Sequence, residues 1–301
     1  MKPLRHPASL ERGDKVDGWT VVEPLGSNTS GTIFLVEQAG RRCVLKFATH
    51  REDREDPKQT NERARRELLC LMLMRGPPNV IRALGSGHWP HLERGWLYLI
   101  LDHVRGLTLA QWVRKTHATA GQAVRLFVKL FAAMAHLHSR RVFHPSLTVT
   151  HILVREDGEP FITDFSAGDY VFTDLLEDKV PPLTHEDTLR MGEDVHALGM
   201  CLYDVLTTAL PERYHRTGEA GPAMLPTARA VNPRVPGRLS DAVMALMSGG
   251  PGQWLPAAGE ALRLLEGLAS QDGEEWTVPL HPPEAVLEAE ARARAIPFAG
   301  R

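Results

Sequence analysis

A short turn rich in glycine and small polar residues, Gly26 to Gly31, lies between two segments whose apolar residues follow a strand-like pattern. Glycine allows positive φ and lets the backbone approach a ligand closely, because no side chain stands in the way. The turn could therefore hold phosphate groups, although an ordinary hairpin turn has a similar composition. Lys46 follows in the next strand-like segment, thirteen residues after Ile33, either as a solvated lysine or as a cation aimed at a ligand.

Three histidines, His138, His144 and His151, recur at intervals of six and seven residues. Imidazole is a common zinc ligand, so the three side chains could form a metal cluster. The alternative is that each histidine packs as an ordinary side chain with its own hydrogen-bond partner. The spacing alone leaves both possibilities open.

The composition is that of an ordinary globular chain, since 43% of its 301 residues are hydrophobic and 24% are charged. A formal net charge of -2 provides no strong field for capturing nucleic acid or an acidic membrane. The N-terminal residues lack the apolar core of a signal peptide, and no run of about eighteen apolar residues is present. Cys43, Cys70 and Cys201 lie too far apart for a disulfide framework, so we expect a reducing cytoplasm.

Two regions of different secondary structure follow one another along the chain. Residues 18–104 read mainly as strands, two of them near residues 80–85 and 96–102, with one helix over residues 62–75. Residues 105–268 read mainly as helices. The strongest helical patterns cover residues 121–139, 194–208, 239–247 and 256–268, and a hairpin pattern covers residues 152–162. We therefore predict an α+β fold of two lobes, with an N-terminal extension over residues 1–17 and a tail over residues 269–301 that contains one helix, at residues 283–295.

Five segments, in this order, resemble the motifs of protein kinases. They are the glycine-rich turn, the strand that carries Lys46, the helix that carries Glu67, the run from His138 to Ser166, and the start of a helix at Asp194. The run ends in Thr163-Asp164-Phe165-Ser166, which resembles T-D-F-G. The chain looks like a bacterial serine/threonine kinase, and the resemblance implies a bilobal protein-kinase-like fold with a small β-rich lobe and a larger helical lobe.

The resemblance also implies a nucleotide site between the lobes. Lys46 would hold the α- and β-phosphates of ATP or ADP, Glu67 would pair with Lys46, and Asp164 would bind magnesium. His144 would pack under Phe165 instead of joining a metal cluster. The other residues that the resemblance assigns to the nucleotide are Gly26, Gly31, Ile33, Val44, the gatekeeper Leu101, Asp102 and Val104.

The catalytic loop departs from the kinase pattern at four positions. Ser146 stands where kinases have the aspartate that accepts the proton of the substrate hydroxyl, and a serine cannot replace a carboxylate base near neutral pH. Thr148 replaces the lysine that neutralises the moving phosphoryl group, and Pro145 replaces the arginine that clamps an activating phosphate. His151 replaces the asparagine that binds the second magnesium ion, and imidazole is a poor exchange there because magnesium prefers oxygen ligands.

A second departure lies at the end of the activation segment. Active kinases carry A-P-E there, and the glutamate pairs with an arginine further along the chain. Residues 181–186 contain no A-P-E, and Trp254 stands at the position of the arginine. Both partners are replaced together, which avoids a buried unpaired charge that would cost about 3–5 kcal/mol. We expect that this segment does not form the usual platform for a peptide substrate.

Three interpretations follow from these motifs. The first is a regulatory or scaffolding pseudokinase in signalling, which binds ATP or ADP and a protein partner but neither nucleic acid nor a membrane. The second is an enzyme, either a residual or non-standard serine/threonine kinase or a nucleotidyl transferase that uses Lys46, Glu67 and Asp164. The third is an inert structural module whose cleft is filled by side chains.

Overall fold

The computed structural model describes residues 4–28, 31–49, 57–74, 76–171, 180, 182–208, 225–248 and 257–284. Within these ranges the chain forms the two lobes that the sequence predicts, a mainly β lobe followed by a mainly helical lobe. None of the helices among these residues is long and apolar enough to cross a membrane.

Six antiparallel strands and one helix form the N-terminal lobe. The strands are β1 Lys15–Val16, β2 Trp19–Asn28, β3 Gly31–Gln38, β4 Arg41–Phe47, β5 Ala83–Trp89 and β6 Trp96–Asp102, and the helix is α1 Pro57–Leu73. The order in the sheet is β1-β2-β3-β4-β6-β5. Strand β6 is buried on both faces, because Leu99 and Leu101 join the main core while Tyr98 and Ile100 join a second apolar cluster. This central position fixes the strand that leads from the sheet to the second lobe.

The second apolar cluster lies on the face of the sheet that the N-terminal segment covers. Leu10 is buried there together with Phe34 and Tyr98. Within the segment, the Arg5 guanidinium lies 2.5 Å from the Asp14 carboxylate. The segment that the sequence analysis treats as an extension therefore contributes side chains to the core of the first lobe.

Helices and five short strands form the described part of the C-terminal lobe. Their bounds are β7 Gly106–Thr108, α2 Leu109–Thr116, α3 Ala120–Ser139, β8 Val142–Phe143, β9 Ile152–Arg155, β10 Pro160–Ile162, β11 Asp169–Tyr170, α4 His185–Thr207, α5 Ala228–Val231, α6 Gly237–Leu246, α7 Ala258–Ala269 and α8 Glu274–Thr277. Strands β10, β9 and β7 form one small sheet, and β11 pairs with β8 in another. Strand β10 leads into the segment around Phe165, which lies on the face of this lobe that meets α1.

Helices α3 and α4 form the centre of the C-terminal lobe. Helix α3 begins with a capping box in which the Thr119 hydroxyl accepts from the Gln122 N–H, and its apolar stripe is buried against α4 and α7. Helix α4 begins with a second capping box, between Thr184 and Asp187. It starts at His185, nine residues before the predicted start at Asp194, so part of the segment that precedes Asp194 is helical.

The residues after α7 continue the C-terminal lobe. Trp276 and Leu280 are buried in the main core, and the Leu280 N–H donates to the Ala118 carbonyl at 2.9 Å. The helix predicted over residues 283–295 lies almost entirely outside the described residues, as does Trp254. The strand predicted at residues 80–85 is wrong in its start, because Val80 makes only an isolated bridge to Ile162 and β5 begins at Ala83.

Candidate functional site

Lys46 lies at the centre of a buried charge cluster between the two lobes. Strand β4 carries it, and pairing with β3 and β6 fixes the backbone on both sides. Its Nζ atom is 2.8 Å from Glu67 Oε2 and 2.7 Å from Asp164 Oδ1. The pair with Glu67 is the one that the sequence predicts, and the contact with Asp164 ties the two lobes together.

Burial and charge act against each other in this cluster. Burial lowers the pKa of Lys46, but the Glu67 and Asp164 carboxylates outweigh it, and the net shift is upward, so the ammonium keeps its proton. Burial raises the pKa of Glu67 in spite of the opposing effect of Lys46. The backbone of Phe165 lies close enough to the Glu67 carboxylate to oppose this rise in pKa, and α1 contacts the segment after Asp164. The result is a protonated, buried amine between two carboxylates.

Asp164 follows β10 in a left-handed conformation, with φ 66° and ψ 68°. Such a backbone is uncommon for a residue with a side chain and is found most often at functional sites. The Ser166 hydroxyl donates to Asp164 Oδ1 at 2.7 Å, and Lys46 binds the same oxygen. The other oxygen, Oδ2, lies 3.5 Å from His151 Nε2. The carboxylate therefore has a fixed orientation with one oxygen turned toward the catalytic loop.

The glycine-rich turn joins β2 to β3 above this cluster. Gly31 has φ 141°, and a Cβ atom at this position would lie 2.0 Å from the Phe47 carbonyl oxygen. Only glycine can occupy it, because β3 approaches β4 closely here. The tip of the turn, residues 29 and 30, lies outside the described residues, so its distance from a phosphate stays a prediction. Gly26, at φ 152°, faces open space.

The residues that the resemblance assigns to the adenine ring lie along β3, β4 and β6. Ile33 is opposite Lys46 in the sheet, and Val44 is opposite Leu101. Leu101 is buried, whereas Ile33 and Val44 are half-buried, as residues that line a cleft would be. The Asp102 N–H donates to the Arg82 carbonyl at 3.1 Å, so this amide is not available to a nucleotide. Val104 follows in the half-buried link between the lobes.

A buried carboxylate, Asp194 on α4, holds the backbone of the catalytic loop. Its two oxygens lie 3.0 and 3.1 Å from the His144 N–H, and Oδ2 lies 2.9 Å from His138 Nε2. The His144 ring donates to the Thr163 carbonyl at 3.0 Å and packs edge-on against Phe165, with ring centroids 4.7 Å apart. The predicted packing of His144 under Phe165 is confirmed, and the loop is well supported.

The three histidines have separate partners instead of a shared one. His138 faces Asp194, His144 faces the Thr163 carbonyl, and His151 faces the Ser146 carbonyl at 2.7 Å. In the part of the chain that the structure describes, no group of three or more metal-binding side chains comes together. The histidine cluster considered above is therefore not found among these residues.

Ser146, which the kinase resemblance aligns with the catalytic base, is half-buried in the loop between β8 and β9. The nearby acidic residues have other partners, because Asp164 binds Lys46 and Asp194 binds His138 and the His144 amide. Thr148 bonds to Thr150 through its hydroxyl, at 2.8 Å. The loop thus presents hydroxyl and imidazole groups where a kinase presents a carboxylate, an ammonium and an amide.

Two contacts in this region were not found by sequence reasoning. One is the bond from Ser166 to Asp164, whose signal is an aspartate followed two residues later by serine, a common local side-chain motif. The other is the approach of Arg141 to the buried Asp187, at 3.9 Å, which anchors the start of α4. No local pattern marks the second contact, since the two residues are distant in sequence.

Comparison with known proteins agrees with this architecture. The model of the protein kinase domain family matches residues 19–232, which is most of the chain, so the chain belongs to that family. It is 22% identical over 260 residues to Aurora kinase A-A of Xenopus laevis, covering 81% of this chain and 61% of that protein.

Two further relatives come from a bacterium and a nematode. The chain is 23% identical over 255 residues to the serine/threonine-protein kinase PrkC of Bacillus subtilis, covering 77% of this chain and 38% of that protein. It is 27% identical over 220 residues to a putative ribosomal protein S6 kinase alpha-1 of Caenorhabditis elegans, covering 66% of this chain and 26% of that protein. The chain spans between 26% and 61% of the length of these three relatives.

Proposed function

We propose that this kinase domain binds ATP or ADP between its lobes and acts as a regulatory or scaffolding pseudokinase, because its catalytic loop lacks the groups that transfer phosphate. One observation carries the proposal. Lys46 is held by Glu67 and Asp164 at 2.7–2.8 Å, while Ser146 occupies the position of the base. The residues that would bind the nucleotide lie together, and those that would transfer its phosphoryl group are replaced.

The geometry supports nucleotide binding in two ways. Lys46 keeps its charge and is aimed by two carboxylates, so it needs little reordering to meet a phosphate. Asp164 has one oxygen committed to Lys46 and Ser166, and the other faces the catalytic loop, where family members bind a metal ion. ATP with a divalent metal ion is the ligand that membership of the family implies.

The loss of phosphoryl transfer follows from the chemistry of the loop. A serine hydroxyl does not accept a proton near neutral pH, and a positioned base contributes about a hundred- to ten-thousand-fold to such reactions. Thr148 brings no positive charge to the moving phosphoryl group. Because both changes act on the same step, we expect the rate of transfer to be far below that of a kinase.

We expect the domain to act by binding a partner protein. Helix α4 extends back to His185 and is capped by Thr184, so residues of the expected peptide platform belong to a helix. Asp187 in its first turn is buried and lies near Arg141. A surface made of a fixed helix suits docking to a folded protein better than presentation of a peptide to the cleft.

The test is a thermal melt of the wild-type chain with and without ATP and a divalent metal ion, alongside Lys46→Ala. ATP should raise the melting temperature of the wild type and leave that of Lys46→Ala unchanged, because the variant lacks the phosphate-binding amine. Lys115→Ala is the matched control, since Lys115 is exposed on α2 and should leave the ATP shift intact.

Removal of Lys46 also leaves Glu67 and Asp164 without their shared partner, which lowers stability. The comparison therefore uses, for each variant, the change in its own melting temperature when ATP is added. Calorimetric titration of the same proteins measures binding directly. Equal ATP shifts in the wild type and in Lys46→Ala would remove the proposed binding mode.

A further inference from the structure

The ring of His151 is oriented by a single backbone contact. Its Nδ1 atom lies 2.7 Å from the Ser146 carbonyl oxygen, which can only accept a hydrogen bond. Nδ1 therefore carries the hydrogen, and in a neutral imidazole Nε2 carries the lone pair. Histidines that bind metals are commonly oriented in this way, with the second nitrogen donating to a carbonyl or a carboxylate.

The lone pair of His151 points into the cleft toward Asp164. His151 Nε2 lies 3.5 Å from Asp164 Oδ2, and both side chains are mostly buried. A charge-assisted hydrogen bond between such groups is usually about 2.7–2.9 Å long, so the two atoms are too far apart to share a proton well. Asp164 Oδ1 binds Lys46 and Ser166, and Oδ2 is the oxygen that faces His151.

The separation matches that of two ligands of one metal ion. Two ligand atoms each about 2.1 Å from a zinc ion, at the tetrahedral angle, lie about 3.4 Å apart. Two neighbouring ligands of an octahedral magnesium ion at about 2.1 Å lie about 3.0 Å apart, and magnesium also binds nitrogen poorly. The observed 3.5 Å, with one nitrogen and one oxygen, fits the first case better.

We propose that His151 and Asp164 form a two-residue site for a divalent transition-metal ion of the zinc or cobalt type, which is completed by the phosphates of the bound nucleotide. The inference deepens the proposed function, because it rests on nucleotide binding and specifies the accompanying metal ion. Asparagine at this position in the kinase pattern offers oxygen and selects magnesium, whereas imidazole selects an ion that accepts nitrogen. The replacement of asparagine by His151 thus changes which metal the cleft prefers.

The experiment measures the affinity of a non-hydrolysable ATP analogue by calorimetry, in Co²⁺ and in Mg²⁺, for the wild type and for His151→Asn. Asparagine keeps an N–H group for the Ser146 carbonyl and replaces the nitrogen ligand by oxygen. The wild type should bind the cobalt complex about tenfold more tightly than the magnesium complex, and His151→Asn should lose this preference. His185→Asn, which removes an exposed histidine from the start of α4, should retain it.

The outcomes separate this inference from the proposed function. If the ratio of the affinities for the analogue in Co²⁺ and in Mg²⁺ is the same in the wild type and in His151→Asn, the proposed metal site is wrong. The proposal of nucleotide binding is then unaffected. Failure of the wild type to bind the analogue with either metal overturns the proposed function itself.

A second measurement needs no variant in the cleft. Pulsed EPR of Mn²⁺ and the analogue bound to wild-type protein labelled with ¹⁵N-histidine should show coupling to a histidine nitrogen, and His185→Asn should show the same coupling. Absence of any ¹⁵N coupling in the bound complex overturns the assignment of His151 as a ligand, even where His151→Asn does not fold.

Discussion

The two walls of the cleft differ in what their residues can do. The N-terminal lobe provides Lys46 and Glu67 in a buried ion pair, as a nucleotide site requires. On the opposite wall lie Ser146, Thr148 and His151, which we propose stand in place of the groups that transfer phosphate in kinases. If the proposal is right, the difference between the two walls teaches that nucleotide binding and phosphoryl transfer depend on separate sets of side chains.

The catalytic loop is nevertheless supported by hydrogen bonds and packing. Asp194 holds the His144 amide and faces His138, and His144 packs against Phe165. These contacts fix the course of the loop without contributing to proton transfer. The substitutions therefore change the chemistry of the loop while its support remains.

Restoring the kinase residues in the catalytic loop is the variant with the largest expected effect on the comparison of the two walls. The triple variant Ser146→Asp, Thr148→Lys, His151→Asn restores a base, a cation and an oxygen ligand on a scaffold that is already in place. We expect release or transfer of the γ-phosphate to rise at least about a hundredfold over the wild type in Mg²⁺, measured with γ-labelled ATP.

The matched control for the repaired loop adds Asp164→Ala, which should abolish the gain because the metal-binding carboxylate is lost. A triple variant that folds and binds ATP yet gains no activity would show that the missing groups are not what limits transfer. The claim that the two walls differ in catalytic capacity would then be wrong.

Removal of the loop's support should have a smaller but clear effect, on stability. Asp194→Ala leaves the His144 N–H and the His138 ring without their buried partner, so we expect the free energy of unfolding to fall by about 3 kcal/mol. Urea denaturation checks this value. Asp241→Ala, at an exposed position on α6, should change stability little, and an equally small loss in Asp194→Ala would mean that the loop is supported in another way.

Much of the fold follows from patterns within short stretches of sequence. Strand β6 was predicted over residues 96–102 and is found there, and helix α3 differs by one residue at its start. The kinase motif at Asp194 predicts a start of α4 that is nine residues too late, although Thr184 and Asp187 form a capping box that the sequence shows. Helix starts are signalled by such caps more reliably than by a family motif within the helix.

The contacts of the site that join residues of recognised motifs could be predicted from the sequence. Contacts between residues that are distant in sequence could not. The pair between Lys46 and Glu67 follows from motif spacing, and the structure contains it. The contact between Lys46 and Asp164 joins residues 118 positions apart and arises only when the lobes close on each other. The covering of the first sheet by Leu10 was missed for a related reason, since a short polar segment gives no periodic signal for where it packs.

The most direct test of the account follows the fate of ATP on the wild-type chain. Calorimetry should show binding of ATP with a divalent metal ion, while γ- and α-labelled ATP should show no transfer of label to protein or water above a control without protein. Label transfer by the wild type that disappears in Asp164→Ala would contradict the account, because the domain would then be a working enzyme.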